Sequence, residues 1–276
     1  MQNIFRQSSR LATPRYGMRF VHSKTPAKNP FFARVLDPTN AKVCVVVGVG
    51  PGVGASVAKK FAAEGYYVAM IARTEDYLRS THREISEMGK DSIYFSCDMS
   101  DPEEVKKAFV RINFQLGIPH CLVYTANVNV KDHITDLKTT DYDSGIQGNI
   151  GAAVWSTKEC STHMLTLGRG TIIYTGNDLS TRGIELQTVG SIGKFGLRGF
   201  AQTISRELGK KGLHIAHVVI DSVVNNPDTD HRRPNTKSEE LIDPDKVAES
   251  IFYIHNQKKS SGWIHELDLR TNIERW

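Results

Sequence analysis

The chain has 276 residues, of which 39% are hydrophobic and 24% are charged, and its formal net charge is +5. This length and composition are typical of one large globular domain and exclude a fibrous, a repetitive or a largely disordered protein. Residues 1–22 contain four arginines and no acidic residue, so the remainder has a net charge of only +1. A role in nucleic-acid binding is therefore disfavoured, because the positive charge is concentrated at one end of the chain.

The first segment, residues 1–36, differs in composition from the rest of the chain. Its basic residues are separated by serine, threonine and apolar residues, and the first acidic residue of the chain is Asp37. This pattern is typical of a mitochondrial transit peptide, and a disordered basic tail is the alternative. We predict a transit peptide and linker over residues 1–36 and a location in the mitochondrial matrix.

Over residues 37–276, short β-branched runs alternate with longer stretches of helical periodicity. The predicted strands cover residues 42–48, 66–72, 91–97, 121–126, 170–176, 214–220 and 263–269. The predicted helices cover residues 52–64, 75–88, 102–116, 139–167 and 191–209. This alternation predicts a single α/β domain with a doubly wound Rossmann fold and a mostly parallel sheet of about seven strands. Residues 221–243 lack a periodic pattern and are predicted to form a lid-like loop.

Neither a membrane span nor a metal site is predicted. The sequence has no run of about 18 apolar residues, the length that a membrane-spanning helix needs. Its ten histidines form no HExxH motif, and its four cysteines have no CxxC spacing. We expect the cysteines to be buried as small hydrophobic residues in a reducing compartment.

A glycine-rich loop joins the first predicted strand to the first predicted helix. Its sequence is Gly48-Val49-Gly50-Pro51-Gly52-Val53-Gly54. Glycines in such a loop allow a tight turn, bring peptide N–H groups close to a pyrophosphate and let the helix pack closely on the sheet. A tight turn without a ligand is the alternative, but the strand–loop–helix context favours dinucleotide binding. We predict that Gly48, Gly50, Gly52, Val53 and Gly54 bind the cofactor.

The end of the second predicted strand indicates which dinucleotide is bound. A carboxylate at this position accepts hydrogen bonds from the ribose hydroxyls of NAD, whereas an arginine suits the 2′-phosphate of NADP. The chain has Arg73 here and no acidic residue before Glu75. We therefore predict that NADP(H) is favoured over NAD(H), the alternative being that Arg73 is a solvated residue at a strand end.

These features resemble the short-chain dehydrogenase/reductase family over nearly all of residues 42–276. The GxxxGxG spacing of the loop is similar to the cofactor loop of that family, with Val47 in place of the usual threonine. The resemblance implies that Asp98 holds the adenine ring. It also aligns residues 124–127 with the family's Asn-Asn-Ala-Gly motif, in which only Ala126 matches.

The resemblance also implies a catalytic set, in which one position departs from the family. Asn149 lies where an asparagine carries the proton-relay water, and its alternative is a helix-interior amide bonded to nearby backbone. Asn177 takes the place of the catalytic serine, and its amide can donate a hydrogen bond to a substrate carbonyl. In the family's Tyr-x-x-x-Lys motif, Lys194 is kept, whereas Gly190 takes the place of the tyrosine. Glycine cannot supply the proton that an alkoxide product needs.

Two hypotheses from different classes follow from this loss. The first is a mitochondrial NADP(H)-binding protein with impaired or absent ketone reductase chemistry, acting as a structural or cofactor-sensing subunit. The second is an active NADPH-dependent oxidoreductase that reduces a carbonyl or an enone with a displaced proton donor. Tyr174 and His231 are candidates for that donor, while Ser191 is a far weaker acid. The first hypothesis is favoured, because the loss of the tyrosine is a large and specific defect.

Small residues on two predicted helices bear on association. Residues 139–167 include Gly145 and Gly148, and residues 191–209 include Gly196. The resemblance implies that these helices build a dimer interface, and packing within one subunit is the alternative. We predict a homo-oligomer or a subunit of a mitochondrial complex, with an unknown small-molecule substrate and no nucleic-acid partner.

Overall fold

The structure is a computed structural model that describes residues 42–227, 236–257 and 262–273. Its strands, in chain order, are β1 Val43–Val47, β2 Tyr67–Ala72, β3 Ser92–Ser96, β4 Cys121–Tyr124, β5 Gly170–Asn177, β6 Leu213–Ile220, β7 Val223–Val224, β8 Leu241–Ile242 and β9 Glu266–Leu269. Its α-helices are α1 Val53–Ala63, α2 Glu75–Glu87, α3 Pro102–Leu116, α4 Thr139–Ile146, α5 Ala152–Leu167, α6 Thr188–Leu208 and α7 Pro244–His255. The predicted transit peptide lies outside the described residues and stays a prediction.

Seven strands form one parallel sheet in the order β3-β2-β1-β4-β5-β6-β9. Every residue of β1 and of β6 is buried, as expected for strands that have helices on both faces. Two hydrophobic clusters, one on each face, lie between the sheet and its helices. The prediction of a single, doubly wound α/β domain with about seven strands is confirmed.

The long helix predicted over residues 139–167 is interrupted by a π-helical turn, Gln147–Gly151, between α4 and α5. Such turns are frequent at functional sites, and this one contains Asn149. Helix α6 begins at Thr188, three residues before the predicted start. Lys194 therefore lies in the second turn of α6, whereas a helix that began at residue 191 would place it in the first turn.

The predicted lid-like loop, residues 221–243, contains short elements of its own. Strands β7 and β8 pair with each other, and a 3-10 turn covers Ser238–Glu240. Helix α7 was not predicted from the sequence, although Asp243 caps it by accepting a hydrogen bond from the Asp245 N–H at 2.8 Å. Its buried face, which includes Val247 and Ile251, packs with the apolar cluster that also contains α1.

Three observations bear on membranes, metals and thiols. Among the described residues, no helix is long and apolar enough to cross a bilayer. Within the same ranges, no group of three or more histidine, cysteine, aspartate or glutamate side chains is arranged to hold a metal ion. The cysteines Cys44, Cys97, Cys121 and Cys160 are all buried and free, as predicted.

Candidate functional site

The glycine-rich loop lies at the carboxyl end of β1, where the strand order reverses between β1 and β4. Gly48 has a φ of +92°, a conformation that glycine adopts at little cost. A Cβ atom at Gly48 would overlap the backbone of Ala126, which follows β4. The hydroxyl of Thr125 donates hydrogen bonds to the carbonyls of Val47 at 3.1 Å and Gly48 at 3.0 Å. The loop is therefore held against the neighbouring strand.

A cavity of about 410 Å³ opens beside this loop, and we call it the adenine cavity. Its lining includes Gly48, Gly50, Arg73, Asp98 and Ala126, all of which were predicted to bind the cofactor. A Cβ atom at Gly50 would meet nothing within 4 Å, so this backbone is open to the cavity. The elements thus bring together five of the predicted cofactor residues.

Two side chains of the adenine cavity have the chemistry to bind the adenosine half of a dinucleotide. One carboxylate oxygen of Asp98 accepts hydrogen bonds from the N–H and hydroxyl groups of Ser100, at 3.0 and 2.8 Å. Its other carboxylate oxygen can accept a hydrogen bond from an adenine amino group. Arg73 is exposed at the end of β2, and its carbonyl accepts a hydrogen bond from the Ser96 hydroxyl at 2.9 Å. Its guanidinium can bind a phosphate group at this edge.

A second cavity, of about 420 Å³, adjoins the first, and we call it the nicotinamide cavity. Asn127 lines both cavities, so they form one elongated cleft across the carboxyl ends of the strands. Val53, Lys194 and Val224 line the second cavity, and a Cβ atom built at Gly52 would lie 3.3 Å from Cγ1 of Val224. A dinucleotide fits this shape, because its two halves would occupy the two cavities with the pyrophosphate at the glycine loop.

Lys194 is the buried cation of the nicotinamide cavity, with only 2% of its surface exposed. Its Nζ donates hydrogen bonds to the carbonyls of Ala126 at 3.2 Å and Thr175 at 3.4 Å. Burial lowers the pKa of Lys194 to about 8, because desolvation disfavours the charged form. No charged group opposes this lowering among the described residues, so the ammonium is held by backbone dipoles without a carboxylate.

Gly190 lies one helical turn before Lys194, and its neighbourhood is filled by another side chain. A Cβ atom at Gly190 would lie 2.7 Å from Cδ1 of Leu179, which is itself buried. Leu179 belongs to the 3-10 turn Asp178–Ser180 that follows β5. The space in which a side chain at position 190 would begin is therefore taken by an aliphatic group with no proton to donate.

Asn177 ends β5 and lines the nicotinamide cavity beside Lys194. Its backbone N–H donates to the Ser180 hydroxyl at 3.2 Å, which fixes the turn after the strand. Its side-chain NH2 group can donate a hydrogen bond to a ligand in this cavity.

Asn149 is fully buried in the π-helical turn, and its amide bonds the backbone of Val128 on both sides. Nδ2 donates to the Val128 carbonyl at 2.8 Å, and Oδ1 accepts from the Val128 N–H at 3.0 Å. Asn149 is absent from the residues that line either cavity. The amide therefore holds the segment after β4 in place, which agrees with the alternative of an amide bonded to nearby backbone.

The other candidate proton donors do not face the nicotinamide cavity. Tyr174 is fully buried, and its hydroxyl lies 2.7 Å from the hydroxyl of Thr157 on α5. Burial raises the pKa of Tyr174 above its ordinary value. The Ser191 hydroxyl is buried without a partner and does not line the cavity. His231 lies outside the described residues, so its candidacy stays a prediction.

An ionic cluster at the floor of the nicotinamide cavity was not predicted from the sequence. The buried carboxylate of Asp221 binds the guanidinium of Arg182 at 2.7 and 3.0 Å and that of Arg270 at 2.8 Å. Arg270 also binds Asp268 at 2.7 and 2.8 Å. The partners of Asp221 lie 39 and 49 residues away along the chain, so no local spacing could indicate them.

The fold places this chain in the class of doubly wound α/β proteins, whose ligands bind where the strand order reverses, and the cleft lies at that point. Comparison with known proteins specifies the class further. The chain belongs to the short chain dehydrogenase family, whose model matches residues 42–237. Family membership as inferred from the sequence is thereby confirmed.

Individual relatives agree with this assignment. The chain is 27% identical over 232 residues to a human 3-oxoacyl-[acyl-carrier-protein] reductase, and this match covers 82% of this chain and 96% of the relative. It is 28% identical to a short-chain dehydrogenase of Rhodopseudomonas palustris, with a TM-score of 0.72 over 84% of this chain and 98% of that one. A metagenomic short-chain oxidoreductase solved in complex with NADP shares the fold, with a TM-score of 0.74 at 23% identity over 84% of this chain and 98% of that one.

Proposed function

We propose that this protein binds NADP(H) and has impaired or absent ordinary ketone reductase chemistry, serving as a structural or cofactor-sensing subunit in the mitochondrial matrix. One observation supports the chemical part of this proposal. Lys194 is buried at the nicotinamide cavity, whereas Gly190 and Leu179 replace the acid that should act beside it. A positioned acid contributes about 10²- to 10⁴-fold to such a reaction, so its loss is severe for catalysis but not for binding.

The preference for NADP(H) over NAD(H) rests on Arg73. The exposed Arg73 lines the adenine cavity at the end of β2. The first carboxylate that follows it in the chain is Glu75. A charge-assisted bond to a 2′-phosphate is about twice as strong as a neutral one. The NADP in the related metagenomic structure is consistent with this preference.

The proposal is tested by separating binding from turnover. NADPH fluorescence is titrated with the purified protein, and NADPH consumption is then followed with a panel of simple ketones. We expect binding without appreciable turnover. Turnover of a ketone at the rates usual for enzymes, about 1 to 10³ s⁻¹, would contradict the proposal. Failure to bind NADPH would contradict both the cofactor assignment and any reductase function.

A gain-of-function variant sharpens this test. Gly190→Tyr restores a hydroxyl one helical turn before Lys194, and adding Leu179→Ala removes the atom that lies 2.7 Å from the new Cβ. We expect the double variant to raise ketone turnover by at least about 100-fold. Gly199→Tyr is the matched control, because it introduces a tyrosine at an exposed position of α6 with nothing within 4 Å.

A second candidate function, active NADPH-dependent reduction of a carbonyl or an enone, has one observation in its favour. Lys194 and Asn177 lie together in the nicotinamide cavity, where the Asn177 NH2 group can donate a hydrogen bond to a carbonyl oxygen. An enone distinguishes this candidate from the first, because its reduction yields a delocalised enolate that depends less on a strong acid. Turnover of enones but not of ketones would favour the second candidate.

Location and assembly belong to the same proposal. Residues 1–36 fused to a fluorescent protein are expected to direct it to mitochondria.

Association is proposed through α6, whose exposed Ile192 and Phe195 are 49% and 43% accessible. Light scattering at micromolar concentration is expected to give a mass above that of one chain, and a monomer would contradict this part of the proposal.

A further inference from the structure

Among the described residues, the nicotinamide cavity contains one amine that can act as a proton donor. The titratable groups of the described residues that line it are Asp178, Arg182, Lys194 and Asp221. The two carboxylates act as hydrogen-bond acceptors, from the Leu179 N–H and from Arg182. A guanidinium stays protonated in proteins. Lys194 is the remaining donor.

We infer that Lys194 itself, and not a tyrosine activated by it, supplies the proton in any hydride transfer that this protein supports. This inference rests on the proposed binding of NADP(H) and on the impaired, not the absent, form of its reductase chemistry, which an activated carbonyl compound would reveal. Its geometric basis is that Lys194 lines the cavity and that its Nζ is held by two backbone carbonyls, of Ala126 and Thr175, instead of a carboxylate. With Gly190 and Leu179 at the position of the family's acid, no other described side chain is available for the role.

Bound NADPH would supply the hydride that adds to the carbonyl carbon, and the electron pair of the C=O π bond would move to oxygen. That oxygen takes a proton from the Lys194 ammonium, directly or across one water molecule, which leaves a neutral amine. The amine then regains a proton from solvent through the open cavity. The carbonyl compound is reduced to an alcohol and NADPH is oxidised to NADP⁺, with one proton consumed.

Burial, and not a neighbouring charge, is what lowers the pKa of Lys194. From β6, His217 faces α6, and burial lowers its pKa to about 4, so it is neutral at pH 7. From the turn after β5, Asp178 lines the same cavity but is within 4.0 Å of Arg182. The π-helical turn contributes the uncharged Asn149. The amine of Lys194 can thus be titrated within an accessible pH range.

The pH dependence of hydride transfer tests the inference on the wild-type protein. NADPH is added at saturating concentration with 4-nitrobenzaldehyde, an activated aldehyde, and the single-turnover rate is measured from pH 6.5 to 10. We expect the rate to fall about tenfold per pH unit above a midpoint near 8, where burial places the pKa of Lys194. A rate independent of pH over this range, or no hydride transfer by a protein that binds NADPH, would overturn the inference.

Chemical rescue separates proton donation from cofactor binding. In Lys194→Ala, the lost side chain is replaced by added ethylamine, 2-methoxyethylamine or 2-cyanoethylamine, whose ammonium ions increase in acidity in that order. If Lys194 donates the proton, the rescued rate at saturating NADPH rises with the acidity of the ammonium ion. If Lys194 only binds the ribose, rescue follows NADPH affinity and not acidity, which would overturn the inference. NADPH binding by wild-type protein, measured separately, tests the proposed function alone.

Discussion

Replacing Lys194 by methionine is expected to stabilise the cofactor-free protein. Burial lowers the pKa of Lys194 from 10.5 to about 8, and each pH unit corresponds to 1.36 kcal/mol, so the charged side chain costs the folded state about 3 kcal/mol at pH 7. Methionine has a similar length and no charge. It forfeits two hydrogen bonds to Ala126 and Thr175, each of which contributes about 1 kcal/mol. The expected net gain is about 1 kcal/mol.

The difference in stability between Lys194→Met and the wild type depends on pH. The unfolded chain keeps the Lys194 proton up to pH 10.5, whereas the folded protein loses it near pH 8. The unfolded state therefore binds more protons between these values, and the stability of the wild type rises with pH across that window. Lys194→Met lacks this rise of about 3 kcal/mol, so its advantage should be largest at pH 7 and should be reversed by pH 10.5.

Urea unfolding of the cofactor-free proteins, followed by tryptophan fluorescence at pH 7 and pH 10, measures both quantities. Lys107→Met is the control, because Lys107 is an exposed lysine on α3 and its replacement should change little. If Lys194→Met were less stable than wild type at pH 7, or if the difference did not vary with pH, the reasoning about the buried ammonium would be refuted. NADPH should weaken or reverse the advantage, because it stabilises only a protein that binds it.

Four further predictions concern stability and cofactor binding. Asp221→Asn leaves two arginines without their carboxylate and should cost about 2 to 3 kcal/mol in urea unfolding. Arg73→Ala should weaken NADPH binding about tenfold in a fluorescence titration and leave NADH binding unchanged. Gly48→Ala should abolish NADPH binding, because Gly48 has a φ of +92° and its Cβ would overlap Ala126. Burial lowers the pKa of His217 to about 4, so thermal stability should fall as the pH decreases from 6.5 to 4, and less so in His217→Gln.

Much of the fold could be predicted because its signals are local. The continuous apolar run of β1 and the glycines after it indicated a buried strand and a tight turn, and the structure has both. Asp101 followed by Pro102 marked the start of α3 correctly. The same pair of residue types, Asp243 and Pro244, begins α7 directly after the predicted lid-like loop, residues 221–243. This helix was missed although its signal was present.

The site was less accessible to sequence reasoning, because its decisive contacts join distant parts of the chain. Matching motifs could place Gly190 and Lys194, but no pattern shows that Leu179 fills the space beside Gly190. The binding of Asp221 by two arginines depends on the ends of β5, β6 and β9 meeting at one edge. The sequence indicated Asn149 as a site residue, and only the structure shows that its amide forms hydrogen bonds with the backbone of Val128.

The hydrogen bonds between Asn149 and Val128 anchor one side of the cleft. The segment after β4 is tied to the π-helical turn through both backbone groups of Val128. Val130 lies 3.5 Å from a Cβ built at Gly145 of α4, and the Asp132 N–H donates to the Leu186 carbonyl at 3.2 Å. This side of the cleft is therefore anchored to the π-helical turn, to α4 and to the segment before α6, and we expect it to keep its position when a ligand binds.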